Sequence, residues 1–538
     1  MNLNQASLKD KALWEKAGIT LPQFDRDEMI RKTTEAPVWI HFGAGNIFRG
    51  FPAALQQNLL NKGLCDKGIV VAEGFDCEII DKAYKPFDNL SLLVVLKADG
   101  SIDKEVIASV AQSLRAGTDD QDDWNTLVSY FRNPSLQMVS FTITEKGYGL
   151  TNSAGQYLPF VEQDFARKTE IPQGMMGKLT LLCYERYKAG ALPIALVSMD
   201  NCSHNGEKLQ TSVMATAEKW LENGFVDDGF LAYLKDESKV SFPWSMIDKI
   251  TPRPDPNVQE MLKECGFDDT DIIITSRNTY TAAFVNAEEA QYLVVEDKFP
   301  NGRPPLEESG LIFTDRDTVN MTEKMKVCTC LNPLHTTLAI YGCLLGHKRI
   351  FEEMRDDVLK RMIERIGYDE GLPVVVDPKI IRPIDFIREV LEVRLPNPFM
   401  PDTPQRIACD TSQKLSIRFG ETIKAYQRDP NLDVHSLKLI PLVFAGWCRY
   451  LMGIGDDGEP FEISPDPLLG ELQPHFAGVK LGDKGPFHDL LQPILSNANL
   501  FGVDLYEAGL GELTESYFAE LVAGKGAVRA TLEKYVLG

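Results

Sequence analysis

The sequence predicts an α/β fold, a mostly parallel sheet domain followed by a mainly α-helical one. Three observations carry this expectation. Short apolar runs alternate with helical patterns over residues 37–295, the first run ends in a glycine turn that opens a helix, and helical periodicity dominates from about residue 321. A chain of 538 residues is also too long for one hydrophobic core, so two domains are expected. The character changes at residues 315–320, just after Gly302-Arg-Pro-Pro-Leu-Glu, which divides the chain into 1–318 and 319–538.

The first element, Pro37-Val-Trp-Ile-His-Phe42, has the short apolar run of a buried strand. It leads into Gly43-Ala-Gly45-Asn46-Ile47-Phe-Arg-Gly50 and a helical pattern over residues 51–60. Strand, glycine turn and helix open a Rossmann-type dinucleotide-binding unit, although the last glycine stands two places later than in the usual fingerprint. Gly43, Gly45, Asn46 and Ile47 are therefore candidate cofactor contacts. A second run, Gly68-Ile-Val-Val-Ala72, ends at Glu73-Gly-Phe-Asp76. An acid there grips an adenosine ribose and repels a ribose phosphate, so Glu73 or Asp76 points to NAD over NADP; a solvated acid after a strand is the plainer alternative.

Further strands are expected at residues 92–96, 138–143, 194–199 and 291–295, with helices at 122–131, 177–188 and 208–222 between them. The second domain shows helical patterns at 332–345, 348–366, 381–393, 413–427, 437–452 and 512–537.

A formal charge of −22 argues against nucleic acid or an anionic membrane as partner, because phosphate binding needs a concentrated basic surface. The ten cysteines include no Cys-x-x-Cys pair, which fits reduced, packed thiols in a cytoplasmic protein with no structural metal. Residues 1–26 lack the apolar core of a signal peptide, and no apolar run reaches the roughly 18 residues of a membrane span.

Polar residues gather where ligands of open α/β sheets bind, at the carboxyl ends of strands. Ser140-Phe-Thr-Ile-Thr144-Glu145-Lys146-Gly-Tyr148 leaves one strand, making Thr144, Glu145 and Lys146 candidate cofactor contacts; the alternative is a strand exit with a surface Glu–Lys pair. Val197-Ser-Met-Asp200-Asn201 leaves the next. Asp248 stands between apolar residues, as a paired structural acid would. Arg406 and Lys414, eight residues apart, either hold a substrate carboxylate or pair with nearby acids. In Lys326-Val-Cys-Thr-Cys-Leu-Asn332-Pro-Leu-His335, Asn332 and His335 share one helical face before an apolar run. Lysine, carboxamide and imidazole together suit proton transfer on an alcohol or carbonyl, though Asn332 also reads as a cap for a helix starting at Pro333.

Taken in order, these motifs resemble one family, the long-chain, metal-independent polyol dehydrogenases, which comprise mannitol 2-dehydrogenase, fructuronate reductase and tagaturonate reductase. The resemblance rests on His41-x-Gly43-x-Gly45, Thr142-x-Thr144-Glu-Lys-Gly-Tyr148, Asp200-Asn201-x-x-His-Asn-Gly206 and Phe242-Pro-x-x-Met-Ile-Asp248. It continues through Val294-Val-Glu-Asp-x-Phe-x-x-Gly302-Arg-Pro, the Lys326 segment, Arg406 to Lys414, and Ala445-Gly-Trp-Cys-Arg-Tyr450 with Glu462-Ile-Ser, and so spans residues 38–465.

The resemblance implies a general acid/base at Lys326 and oxyanion-binding amides at Asn201 and Asn332. It implies substrate contacts at His335, Arg406 and Lys414, with Asp248 supporting, NAD as cofactor, and no metal. The implied activity is reduction of D-fructuronate to D-mannonate with NADH, with tagaturonate reduction or mannitol–fructose interconversion as alternatives. A sugar-acid epimerase or a non-catalytic NAD-binding protein is the alternative of a different class. The expected partner is a small sugar acid or polyol, with the chain a monomer or small homo-oligomer. One departure stands out: five residues separate Lys326 from Asn332 where the family has four. On a regular helix one extra residue turns the lysine by about 100°. A π-bulge or break before Pro333 is therefore expected.

Overall fold

A helical crossover returns the chain parallel to the strand it left, and most strands of the first half are joined in this way. The result, in a computed structural model that describes all 538 residues, is a six-stranded sheet. Its strands are β1 (Trp39–Phe42), β2 (Ile69–Glu73), β3 (Val110–Arg115), β4 (Met138–Phe141), β5 (Ile194–Ser198) and β6 (Val240–Ser241). They lie in the order 3-2-1-4-5-6, and every neighbouring pair is parallel. This is the Rossmann order, with its switch point between β1 and β4. Every residue of β1, β2, β4 and β5 is buried, as a sheet covered on both faces requires.

The covering helices follow from the period-2 alternation of the strands. Ile40, Phe42, Val139 and Phe141 point into a core with Trp124, Leu127, Leu179, Leu182, Leu209 and Val213. Those side chains come from α3 (Gln121–Phe131), α4 (Met175–Lys188) and α5 (Asn205–Glu222). Trp39, Val71 and Val197 face the other way, onto Phe48, Leu55 and Leu59 of α1 (Asn46–Gly50) and α2 (Pro52–Asn61). Fully burying one such aromatic or aliphatic side chain contributes about 1.5–3 kcal/mol.

Two expected strands belong elsewhere. Ser91–Leu96 pairs antiparallel with Ile102–Ile107, and on its other side parallel with Phe284–Glu288. The cause is local: Lys97 N–H donates to Ser101 C=O across a turn too short for a parallel return. Tyr292–Glu296 lies in a three-stranded sheet, antiparallel to Ser245–Asp248 and parallel to Ile312–Thr314.

The chain divides into two units, Met1–Lys97 with Ser101–Asn320, and Ala98–Gly100 with Met321–Gly538. The second unit is helical. At its centre pack α6 (Asn332–Leu345) and α7 (Leu439–Tyr450), apolar on nearly every face and therefore buried. Tyr341 donates to the carbonyl of Leu442 at 2.6 Å, and its ring lies against Gly446, where a Cβ would clash.

Several helices expected as continuous are interrupted. The 348–366 pattern splits into Ile350–Glu353 and Asp357–Arg365, because Asp356 turns out of the helix to accept the N–H groups of Val358 and Leu359. The 512–537 pattern breaks at Gly524 and Gly526, both at positive φ. The 381–393 and 413–427 patterns each contain a π-helical turn, at Val390–Arg394 and Ser416–Gly420.

Glu353 is wholly buried against Gly342 of α6, where any side chain would collide with its Oε1, and neither carboxyl oxygen has a hydrogen-bond partner. Burial, then Asp356 and Glu352, hold this carboxyl well above the usual carboxylate range. The folded protein therefore keeps a proton that the unfolded chain releases near pH 4.5. The stability tied to it is complete below that pH and is lost as pH rises toward the folded value. In thermal melts at pH 5–8, wild type should lose stability relative to Glu353→Gln as pH rises, by at most about 1.4 kcal/mol per pH unit. A pH-independent difference would contradict the assignment.

Candidate active site

The turn after β1 is fixed by contacts that only glycine permits. Gly43 has φ +108°, and a Cβ there would collide with the carbonyl oxygen of Thr142. The Glu73 side chain, from the end of β2, ties the turn to the next strand. Its Oε2 accepts the Ala44 N–H at 2.8 Å, and its Oε1 accepts the N–H groups of Phe75 and Asp76 at 2.8 and 3.1 Å. Tyr84 donates to the Ala44 carbonyl at 2.9 Å. Gly45 differs from Gly43, since a Cβ there would meet no protein atom within 4 Å. Its bareness leaves room beside the first turn of α1, whose N–H groups have no acceptor within the helix. Such a cradle suits a pyrophosphate, and the residues present fit a dinucleotide. Gly50, late for the usual fingerprint, packs against Val285 and Ala287 of the second sheet instead.

A cavity of about 1150 Å³ opens at this sheet edge, within the first unit. Gly43, Glu73, Asp76, Thr144 and Lys146 line it; of the expected cofactor residues, Gly45, Asn46, Ile47 and Glu145 do not. Asn46 is half-buried, its Oδ1 accepting Arg49 Nη2 at 2.8 Å. Glu145 pairs with Lys208. Asp76 is buried and accepts the Thr275 hydroxyl at 2.6 Å. Phe75 is 71% exposed, and the guanidinium of Arg277 lies 4.4 Å from its ring centre. Lys178, unremarked in the sequence, is buried on the cavity wall and donates to the Gly74 carbonyl at 2.9 Å. Burial lowers its ammonium.

At the ends of β4 and β5, Asp200 accepts the N–H groups of Ile143 and Thr144 at 2.9 and 2.8 Å and the Tyr148 hydroxyl. This brace holds Thr144 at φ +63°, a strained conformation for a β-branched residue. Asn201 follows directly and is exposed. Asp248 is buried at the end of Ser245–Asp248.

In the second unit, Lys326–Cys330 forms a π-helical turn in which Leu331 N–H donates to Lys326 C=O at 3.1 Å, an i to i+5 bond. Leu331 breaks the helix, and α6 starts at Asn332 with Pro333 in its first turn, where a missing N–H costs nothing. The extra residue between lysine and asparagine is thus housed in a π turn. Lys326 is buried, 3% exposed.

His335 is held neutral. Burial, then the nearby cations Arg418, Arg406, Arg394 and Lys414, push its imidazole down to about 3. Its Nε2 lies 3.4 Å from Asp402 Oδ2 but makes no hydrogen bond, so this approach is not an ion pair. Asp402 pairs with Arg406, whose side chain is 62% exposed. Lys414 donates to the carbonyls of Ile407 and Cys409, and burial lowers its ammonium too. Arg418, four residues beyond Lys414, donates to the Thr336 hydroxyl. No metal-binding group of His, Cys, Asp or Glu occurs, and no helix is long and apolar enough to cross a membrane.

The family model for the mannitol dehydrogenase Rossmann domain matches residues 38–308, and that for the mannitol dehydrogenase C-terminal domain matches residues 318–517. D-mannonate oxidoreductase of Thermotoga maritima is 55% identical over 538 residues, 100% of this chain and 99% of that protein. Mannitol 2-dehydrogenase of Pseudomonas fluorescens, solved as a ternary complex with NAD and D-mannitol, aligns with a TM-score of 0.70 at 25% identity over 99% of both chains. A substrate-free D-sorbitol dehydrogenase shares the fold, with a TM-score of 0.80 at 23% identity over 99% of this chain and 100% of that one.

The two glycines of the turn should respond differently to a methyl group. Gly43→Ala should destabilise the protein by about 2 kcal/mol or more through strain and collision. Gly45→Ala should melt within about 2 °C of wild type yet bind NADH at least roughly tenfold more weakly in fluorescence titration. Unchanged NADH affinity in Gly45→Ala would remove the cradle reading.

Proposed function

Because the chain belongs to the mannitol dehydrogenase family and is an oxidoreductase, we propose that it reduces D-fructuronate to D-mannonate with NADH, reversibly and with lysine as acid/base. The observation that carries this reading is the full-length similarity to a D-mannonate oxidoreductase, joined with a cation-rich, acid-poor cluster around His335. A substrate carrying a carboxylate suits that cluster better than a neutral polyol does.

NAD, when bound, supplies or accepts the hydride at the carbinol carbon. Gly45 would leave space for its pyrophosphate, with Gly43 permitting the tight turn and Glu73 stiffening it. Glu73 and Asp76 on the cavity wall disfavour a second phosphate on the ribose, which supports NAD over NADP. The Lys326 ammonium gives its proton to the substrate oxygen during reduction, and the neutral amine takes it back during oxidation. The Asn332 amide donates to that oxygen as negative charge develops on it, the role that the family resemblance also implies for Asn201. A neutral His335 offers one N–H and one lone pair, so it recognises a sugar hydroxyl without adding charge. Arg406 and Lys414 supply positive potential for the carboxylate, and Asp248 supports the arrangement. The implied partner is a small sugar acid, and the chain acts as a monomer or small homo-oligomer.

Initial rates of NADH oxidation with fructuronate, tagaturonate and fructose decide the substrate. Fructuronate should give the highest kcat/KM, with NADPH a poorer donor than NADH. Turnover confined to fructose would overturn the uronate reading, and a preference for tagaturonate would move the product to altronate.

A further inference from the structure

The family resemblance implies substrate contacts at Arg406 and Lys414, but Arg406 is already matched by Asp402 and lies largely exposed. Arg418 is different. It is partly buried, the one hydrogen bond of its guanidinium goes from Nη1 to the hydroxyl of Thr336, and no carboxylate of the chain pairs with it. Its Nε and Nη2 have no partner, yet neither is sealed from solvent. Those two nitrogens form the edge of a guanidinium that grips a carboxylate with two parallel hydrogen bonds.

The surroundings point the same way. The Arg418 N–H donates to the Lys414 carbonyl at 2.9 Å, so the two cations stand one helical turn apart on one face. Thr336, which holds the guanidinium, is the neighbour of His335 on α6. The π turn Ser416–Gly420 that carries Arg418 packs against the π turn Lys326–Cys330. Lys414 feels the repulsion of Arg418 more strongly than the pull of either Asp410 or Asp466, an imbalance that a bound carboxylate relieves. Burial alone pushes Arg418 down to about 10, the direction for a cation lacking a counter-charge.

We propose that Arg418, assisted by Lys414, binds the carboxylate of the sugar-acid substrate and makes the site select uronates over neutral ketoses. This inference rests on the uronate reading above. Arg406 then shapes the local field through Asp402 rather than forming half of a clamp.

The test compares wild type, Arg418→Gln and Arg418→Lys in steady-state reduction of fructuronate, with the Kd for NADH as a control for folding. Loss of a two-bond charged contact should raise KM by about 100-fold in Arg418→Gln, with kcat changed by less than about fivefold. Arg418→Lys keeps the charge without the paired geometry, so its KM should rise by about tenfold. Both variants should bind NADH as wild type does. If Arg418→Gln fails to fold, Arg418→Lys decides alone. A fructuronate KM within about threefold of wild type in every folded variant overturns the assignment and leaves the uronate reading intact. A wild type that reduces no uronate overturns both.

Discussion

One hydrogen bond, from Leu331 N–H to Lys326 C=O, sets how Lys326 stands relative to Asn332 and His335, the geometry on which the proposed chemistry depends. It closes a π turn instead of an α turn, and so takes up one residue more between lysine and asparagine. Without it, the five intervening residues would turn Lys326 by about 100° relative to Asn332 and His335. The neighbouring sequence makes the turn tolerable. Pro333 has no N–H to leave unsatisfied in the first turn of α6, and Leu331 provides the break between the two helical segments. A mid-helix irregularity that would only cost stability elsewhere here carries a buried lysine.

The same economy of polar groups governs the rest of the molecule. The chain as a whole carries a net charge of −22, whereas Arg394, Arg406, Lys414 and Arg418 gather near His335 with Asp402 as a local acid. An acidic protein can thus present positive potential to a small anion. Glu73 shows the reverse use of a charge. Its carboxylate spends both oxygens on three backbone N–H groups, which stiffens the turn between β1 and α1. Asp200 does comparable work at the ends of β4 and β5, where it holds Thr144 at positive φ.

Much of this was legible in the sequence, and the parts that were not have physical causes. β1, its glycine turn and the acid after β2 were readable because turn, strand and helix periods agree there. The run at residues 92–96 was equally clear as a strand, but an apolar run does not report its partner, and the short turn at Lys97–Ser101 sent it into another sheet. The irregular turn after Lys326 was foreseeable from one surplus residue and a following proline. The other π turns had no such signal, because nothing in residues 381–393 or 413–427 departs from ordinary helical spacing. Nothing in the sequence marks Arg418 either, since it stands four residues after Lys414 at ordinary helical spacing. Its lack of a carboxylate partner is a property of the folded unit alone. Glu73 was visible as an acid but not as a brace, since its acceptors are backbone groups.

The central claim is that the Lys326 amine moves the proton of the reaction, and replacing that amine tests it most directly. In Lys326→Ala, fructuronate reduction at saturating NADH should fall by about 10³-fold in kcat, within the usual range for losing a general acid/base, while the Kd for NADH stays at the wild-type value. A kcat within about threefold of wild type, with NADH bound normally, would contradict the account.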